Sequence, residues 1–284
     1  MTISFSKILI PVDFTVNTRV AIRKALFLCE GTNTAIHLLH VIPGHPAKYL
    51  SIHQFFGRYS FSNEQSDMKI CSQKLEEYRN YILSIRPDIE IAAGITLQKS
   101  IEEAIIEKSK NIGAELIVIG TNSHHSWLPF LNTVVPATIA KKSGIAVLTV
   151  KPGAVNDPIR TVVVPVGDGF PYNKVAAVNA LKKRFRFQTR LVTFRSNHDG
   201  AVIVPGSVLN AYRILKNNPE SQVSYEVLHG NNRAKAILDY CTRVNADLLI
   251  VNPETEMKIG WLNRQIPDVL PVHSKTQILA INQI

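Results

Sequence analysis

The residues best placed to do chemistry follow two short apolar runs in the first half of the chain. Ile8-Leu9-Ile10 leads through Pro11 and Val12 to Asp13. Leu116-Ile117-Val118-Ile119 leads to Gly120-Thr121-Asn122-Ser123. A carboxylate just past a strand can accept hydrogen bonds from the hydroxyl or amino groups of a ligand. Asp13 and Thr15 equally suit the N-terminus of a following helix. The 120–123 segment offers hydroxyls, an amide and backbone donors for an anion, although an ordinary polar loop has the same composition. The carboxyl end of a first strand is where open α/β sheets bind ligands.

Other candidates carry less. His124 and His125 are adjacent, and neighbouring residues rarely turn both rings to one ion. No Cys or carboxylate lies near them at ligand spacing, so no metal motif is expected. Cys29, Cys71 and Cys241 form neither a CxxC pair nor a disulfide framework, which suits a reducing cytoplasm. There is no G-x-S-x-G elbow, no Walker lysine loop and no H-E-x-x-H, so no catalytic residue and no enzyme is expected. The densest basic stretch, Lys182 to Arg190, interleaves Phe185 and Phe187. A nucleic-acid surface would use that pattern, but a helix end running into a strand with inward rings explains it better.

The elements that must position these groups come from composition and pattern. The 284 residues are 45% hydrophobic and 19% charged, enough for packed cores and too apolar for a disordered chain. No apolar run approaches the ~18 residues of a membrane span, and the N-terminus lacks the apolar core of a signal peptide. Lys and Arg number 32 against 22 Asp and Glu, a net charge of +10 that favours anionic partners without choosing among them.

The sequence repeats itself. Ile8–Val12 resembles Val162–Val166. Gln98–Gly120 lies without a gap against Gly230–Asn252, pairing Ala114-Glu115-Leu116-Ile117-Val118 with Ala246-Asp247-Leu248-Leu249-Ile250. Each half reads as alternating strands and helices. Strands are expected near 7–13, 35–42, 89–95, 115–119 and 145–150, then near 161–166, 189–195, 222–228, 247–251 and 276–281. That order implies α/β architecture: two tandem doubly wound parallel sheets, Rossmann-like, over 1–151 and 159–284 with a Pro/Gly linker at 152–158. Only the first half has a longer aromatic stretch, about 44–66, containing Tyr49, Phe55, Phe56, Tyr59 and Phe61. It could cover a ligand or partner, or pack on its own domain.

These features resemble the universal stress protein family in tandem form. The resemblance rests on Ile8-Leu9-Ile10-Pro11-Val12-Asp13, the Ala114–Gly120 run and the strand Ala146-Val147-Leu148-Thr149-Val150. It implies an adenine-nucleotide-hydrolase-like fold and a pseudo-dimer joined through the last strands of the halves, Ile145–Val150 and Thr276–Ile281. ATP-binding members carry a loop of the form G-x2-G-x9-G-[ST] after strand four, an Asp after strand one and a backbone contact after strand two.

Carried onto this chain, the resemblance implies an ATP or AMP site in the first half at Pro11, Val12, Asp13, Val41, Gly120, Thr121, Asn122, Ser123, Asn132 and Thr133. Ser123 stands where the second glycine belongs. Without a gap, Thr133 and Val134 take the final pair; a loop one residue shorter puts Asn132 and Thr133 there. In the second half Asn252-Pro253-Glu254-Thr255-Glu256 replaces the loop, and Gly167 replaces Asp13 beside Asp168. That half is expected not to bind.

The role expected is cytoplasmic regulation or protection under stress, with a protein partner or homo-oligomer left open. The alternative is an interaction module without a nucleotide. Weak ATP hydrolysis or nucleic-acid binding is a remote third reading.

Overall fold

A computed structural model describes residues 5–31, 33–43, 64–121, 135–154, 158–194, 204–217, 220–230, 232–259, 264–271 and 274–282. The first half contributes β1 (Lys7–Val12), α1 (Val16–Leu28), β2 (Ala35–Pro43), α2 (Glu64–Ile85), β3 (Glu90–Gln98), α3 (Ile101–Asn111), β4 (Leu116–Gly120), α4 (Pro136–Ser143) and β5 (Ala146–Val150). The second contributes β6 (Thr161–Pro165), α5 (Tyr172–Lys182), β7 (Gln188–Phe194), α6 (Gly206–Lys216), β8 (Val223–Leu228), α7 (Arg233–Arg243) and β9 (Leu248–Val251). A short hairpin, β10 (Lys258–Ile259) and β11 (Arg264–Gln265), precedes α8 (Ile266–Val269) and β12 (Gln277–Ala280).

One ten-stranded sheet runs β3-β2-β1-β4-β5-β12-β9-β6-β7-β8. All neighbours are parallel except the central pair, β5 with β12, which meet antiparallel at Val147–Ala280, Leu148–Leu279 and Thr149–Ile278. The sheet is thus two copies of one five-stranded order joined at their final strands. β-Branched runs feed both copies: β6 is Thr-Val-Val-Val-Pro and buried throughout. Alternation divides the side chains. Ile8, Ile10 and Val12 join α1, α2, α5 and α6 on one face. Leu9 joins α3, α4 and α7 on the other.

The repeat extends to caps. Ser100 accepts the Glu103 N–H at 3.3 Å to start α3, and Asn232 accepts the Lys235 N–H at 3.0 Å to start α7. At the amino ends of the strands, Glu115 Oε2 accepts the Ser6 N–H at 2.7 Å. Its counterpart Asp247 takes the N–H groups of Arg160 and Thr161, both at 2.9 Å.

The last helix of the second half departs from expectation. The alternation of strands and helices predicts a helix before the final strand in both halves. The chain instead spends those residues on the β10–β11 hairpin, and α8 is a single turn halted ahead of Pro271. Of the aromatic stretch, residues 44–63 lie outside the described residues, while its end, from Glu64, already belongs to α2.

The basic stretch also has a definite place. Phe187 is buried, and Phe185 stacks on Phe27 of the first half at 5.1 Å. Arg184 Nη1 donates to the Leu28 carbonyl at 2.7 Å. Phe185 and Arg184 are thus spent on the contact between halves.

Candidate functional site

In each half the strand order reverses direction once, between β1 and β4 and between β6 and β9. At such a switch the crossovers leave on opposite faces and open a crevice at the carboxyl ends of the strands. The sequence-predicted residues that the structure describes, Pro11, Val12, Asp13, Val41, Gly120 and Thr121, lie at that place.

Asp13 follows β1. Its Oδ1 accepts from the Thr15 N–H (2.9 Å), the Thr15 hydroxyl (2.7 Å) and the Thr18 hydroxyl (2.7 Å), and Asn17 Nδ2 reaches Oδ2 at 3.4 Å. Thr15 is the N-cap of α1, accepting the Asn17 N–H at 3.1 Å. Asp13 is therefore the brace behind the cap, and Oδ2 is its less committed oxygen among the described residues. Pro11 and Val12 end β1, and the Val12 carbonyl accepts from His40 Nδ1 at 2.8 Å. That contact requires the proton on Nδ1. Burial, the largest influence, pushes the His40 pKa down, and Lys74 acts the same way.

Val41 is buried in β2. The β1–β2 ladder ends at Val12–His40, while β2 continues beside β3 to Pro43. The backbone of Val41 thus lies just past the end of β1, at the lip of the crevice.

Gly120 ends β4, directly against α1. A Cβ there would stand 2.0 Å from the Asn17 carbonyl oxygen. The glycine is demanded by the closeness of the first turn of α1. Thr121 follows, its N–H donating to the Val150 carbonyl at 2.9 Å. Two buried polar atoms here have no hydrogen-bond partner among the described residues: Thr121 Oγ1 and Asn17 Oδ1. Native structures leave few such atoms, and each calls for an explanation. Asn122, Ser123, Asn132 and Thr133 lie outside the described residues, as do His124 and His125.

Sequence reasoning missed the aromatic wall beside Asp13. Phe14 adopts φ +58, costly for a bulky residue. Its ring packs 4.3 Å from His40 and stacks on Tyr78 at 6.3 Å, with Lys74 Nζ 5.7 Å from the ring. The available signal was the four-residue spacing of Lys74 and Tyr78, which puts both on one face of α2.

The second half fills the corresponding crevice differently. Lys174 of α5 is fully buried. Its Nζ donates to the Pro165 carbonyl at 2.7 Å and to both oxygens of Glu256 at 2.8 and 2.6 Å.

Among the described residues no group of three His, Cys, Asp or Glu could hold a metal ion, and no helix is long and apolar enough to cross a membrane. All three cysteines are buried. Burial pushes the Cys29 thiol up to about 11 and the Cys241 thiol to about 12, so neither is a nucleophile near neutral pH.

The family model for the universal stress protein family matches residues 4–151. The fold is similar to that of a universal stress protein from Archaeoglobus fulgidus DSM 4304, at 12% identity and TM-score 0.71, covering 99% of this chain and 98% of that one. It is also similar to a functionally unknown protein, PA1789, from Pseudomonas aeruginosa PAO1, at 11% identity and TM-score 0.53, covering 98% and 93%. At these identities the likeness is one of fold. No curated protein matches the sequence.

Proposed function

The chain belongs to the universal stress protein family, and from that premise we propose that its first half holds an adenine nucleotide, ATP or AMP, in the crevice between β1 and β4. The observation that carries this reading is the pair of buried atoms without hydrogen-bond partners among the described residues, Asn17 Oδ1 and Thr121 Oγ1, on either side of the Gly120–α1 contact. An acceptor and a hydroxyl beside Asp13 suit sugar hydroxyls or base nitrogens. Asp13 Oδ2 and the Val41 backbone supply further acceptors and donors. Pro11 and Val12 shape the floor, and Asn122, Ser123, Asn132 and Thr133 are assigned to the phosphates. The role is regulatory, in the cytoplasm, with the bound nucleotide as the signal and no catalytic turnover.

A second reading has its own support: an interaction module without nucleotide. Asp13 Oδ1 already takes three donors, and Gly120 is accounted for by the approach of α1. Both hallmarks of the ligand site thus have a structural use.

Native mass spectrometry of gently purified protein, followed by calorimetric titration with ATP and AMP, separates the two. Nucleotide binding is expected, weakened about tenfold, or ~1.4 kcal/mol, by Asp13→Ala. The same substitution is expected to cost about 1 kcal/mol of stability through the cap, so the binding constant must be read at a temperature where the variant is folded. A protein that purifies empty and ignores both nucleotides leaves the interaction module as the function.

A further inference from the structure

The second half carries an acid where the first carries a crevice. β1 and β6 stand in the same register to their neighbours, with Ile8 opposite Leu116 and Val162 opposite Leu248. Gly120, the last residue of β4, and Asn252, the residue just past β9, are therefore equivalent. After Asn252 the chain makes a tight turn: Asn252 Oδ1 accepts the Glu254 N–H at 2.9 Å, and the Asn252 carbonyl accepts the Glu256 N–H at 3.1 Å. The turn sends the Glu256 side chain back into the switch-point crevice. There Oε2 accepts the Asn252 N–H at 2.7 Å, and both carboxylate oxygens face Lys174 Nζ. The Lys174 side chain is 0% exposed and that of Glu256 12%.

Room for this arrangement comes from α5, which starts farther from its strand than α1 does: Pro165 to Tyr172, against Val12 to Val16. A buried ammonium and a strand-end N–H converging at a topological switch make an anion site. We propose that the second half is a built anion site whose ligand is covalently part of the chain: the Glu256 carboxylate occupies it permanently. The half holds its liganded form without a bound metabolite, and removing the carboxylate uncovers a site for a small free anion.

The test is Glu256→Ala, with acetate and formate as probes and chloride at matched ionic strength as the control. A buried lysine left without its partner is strongly destabilising, so the Tm in chloride is expected to fall by about 6 °C or more. Acetate or formate should restore at least about 3 °C, saturably, as binding to the native state alone requires. Wild type should show no difference between acetate and chloride, and Lys174→Met/Glu256→Ala should show none either. Equal Tm in acetate and chloride for Glu256→Ala overturns the proposal, as does acetate stabilisation that survives loss of Lys174. If Glu256→Ala does not fold in chloride, refolding yield carries the same comparison. Recovery only in acetate or formate supports the internal ligand, and recovery in neither overturns it.

Discussion

Gly120 shows how one residue can carry two readings. In the sequence it opens a glycine pattern associated with phosphate. In the structure it is a glycine because the Asn17 carbonyl would lie 2.0 Å from any Cβ, whatever binds nearby. The neighbouring atom is backbone, held by the first turn of α1, so it cannot rotate away. Gly120→Ala is expected to destabilise the protein by about 3 kcal/mol or more, read as a lowered midpoint in urea. A midpoint within about 0.5 kcal/mol of wild type would mean that α1 shifts easily, and the packing account of this glycine would fail. Glu256 is the converse. In the sequence it is an acid where phosphates would sit; its bond to a buried Lys174 depends on where α5 begins, which no local pattern specified.

At the scale of elements, the corner between the third helix and fourth strand of each half is the best test of the repeat. Gly113 follows α3 at φ +64, and its counterpart Asn245 follows α7 at φ +54. Both are left-handed helix ends, where glycine has no Cβ penalty and Asn is the usual second choice. Asn245→Gly is therefore expected to be neutral to stabilising, within about 1 kcal/mol, while Gly113→Ala costs about 1 kcal/mol; thermal unfolding of the two variants checks the pair. Such corners made the architecture legible in the sequence. β-Branched runs such as Val162-Val163-Val164 and Ser or Asn caps at positions 100 and 232 are local signals, and they place strands and helices without tertiary information. The single-turn α8 and the β10–β11 hairpin were not legible, because Pro267 is equally at home in the first turn of a longer helix. The site was legible only as positions. Asp13 and Gly120 stand out by type, and the short spacing of Asp13 and Thr15 already suggests a helix cap, but the wall of Phe14, His40 and Tyr78 joins residues far apart in sequence around a backbone bent by a positive φ.

At the scale of the whole molecule, the strands that end the two halves become the centre of one sheet. Single five-stranded sheets would leave β5 and β12 as open edges able to pair with other chains; here each covers the other. Side chains meet across this seam as well as backbones. Leu116, Leu148, Leu248 and Leu279 line a small cavity with Phe5, and among these apolar groups sits Gln277, 1% exposed. Neither its Nε2 nor its Oε1 has a hydrogen-bond partner among the described residues. Its backbone is secure, since the Gln277 N–H donates to the Asp247 carbonyl at 2.9 Å and the residue stays in register with Leu248. A buried amide without partners costs about 1–3 kcal/mol, and methionine fills nearly the same volume without polar atoms. Gln277→Met is accordingly expected to raise stability by about 1–3 kcal/mol and the Tm by several degrees, with the β5–β12 pairing intact. A drop in Tm would mean that the amide is satisfied within the seam, so that the junction of the halves is held by a polar contact as well as by leucines.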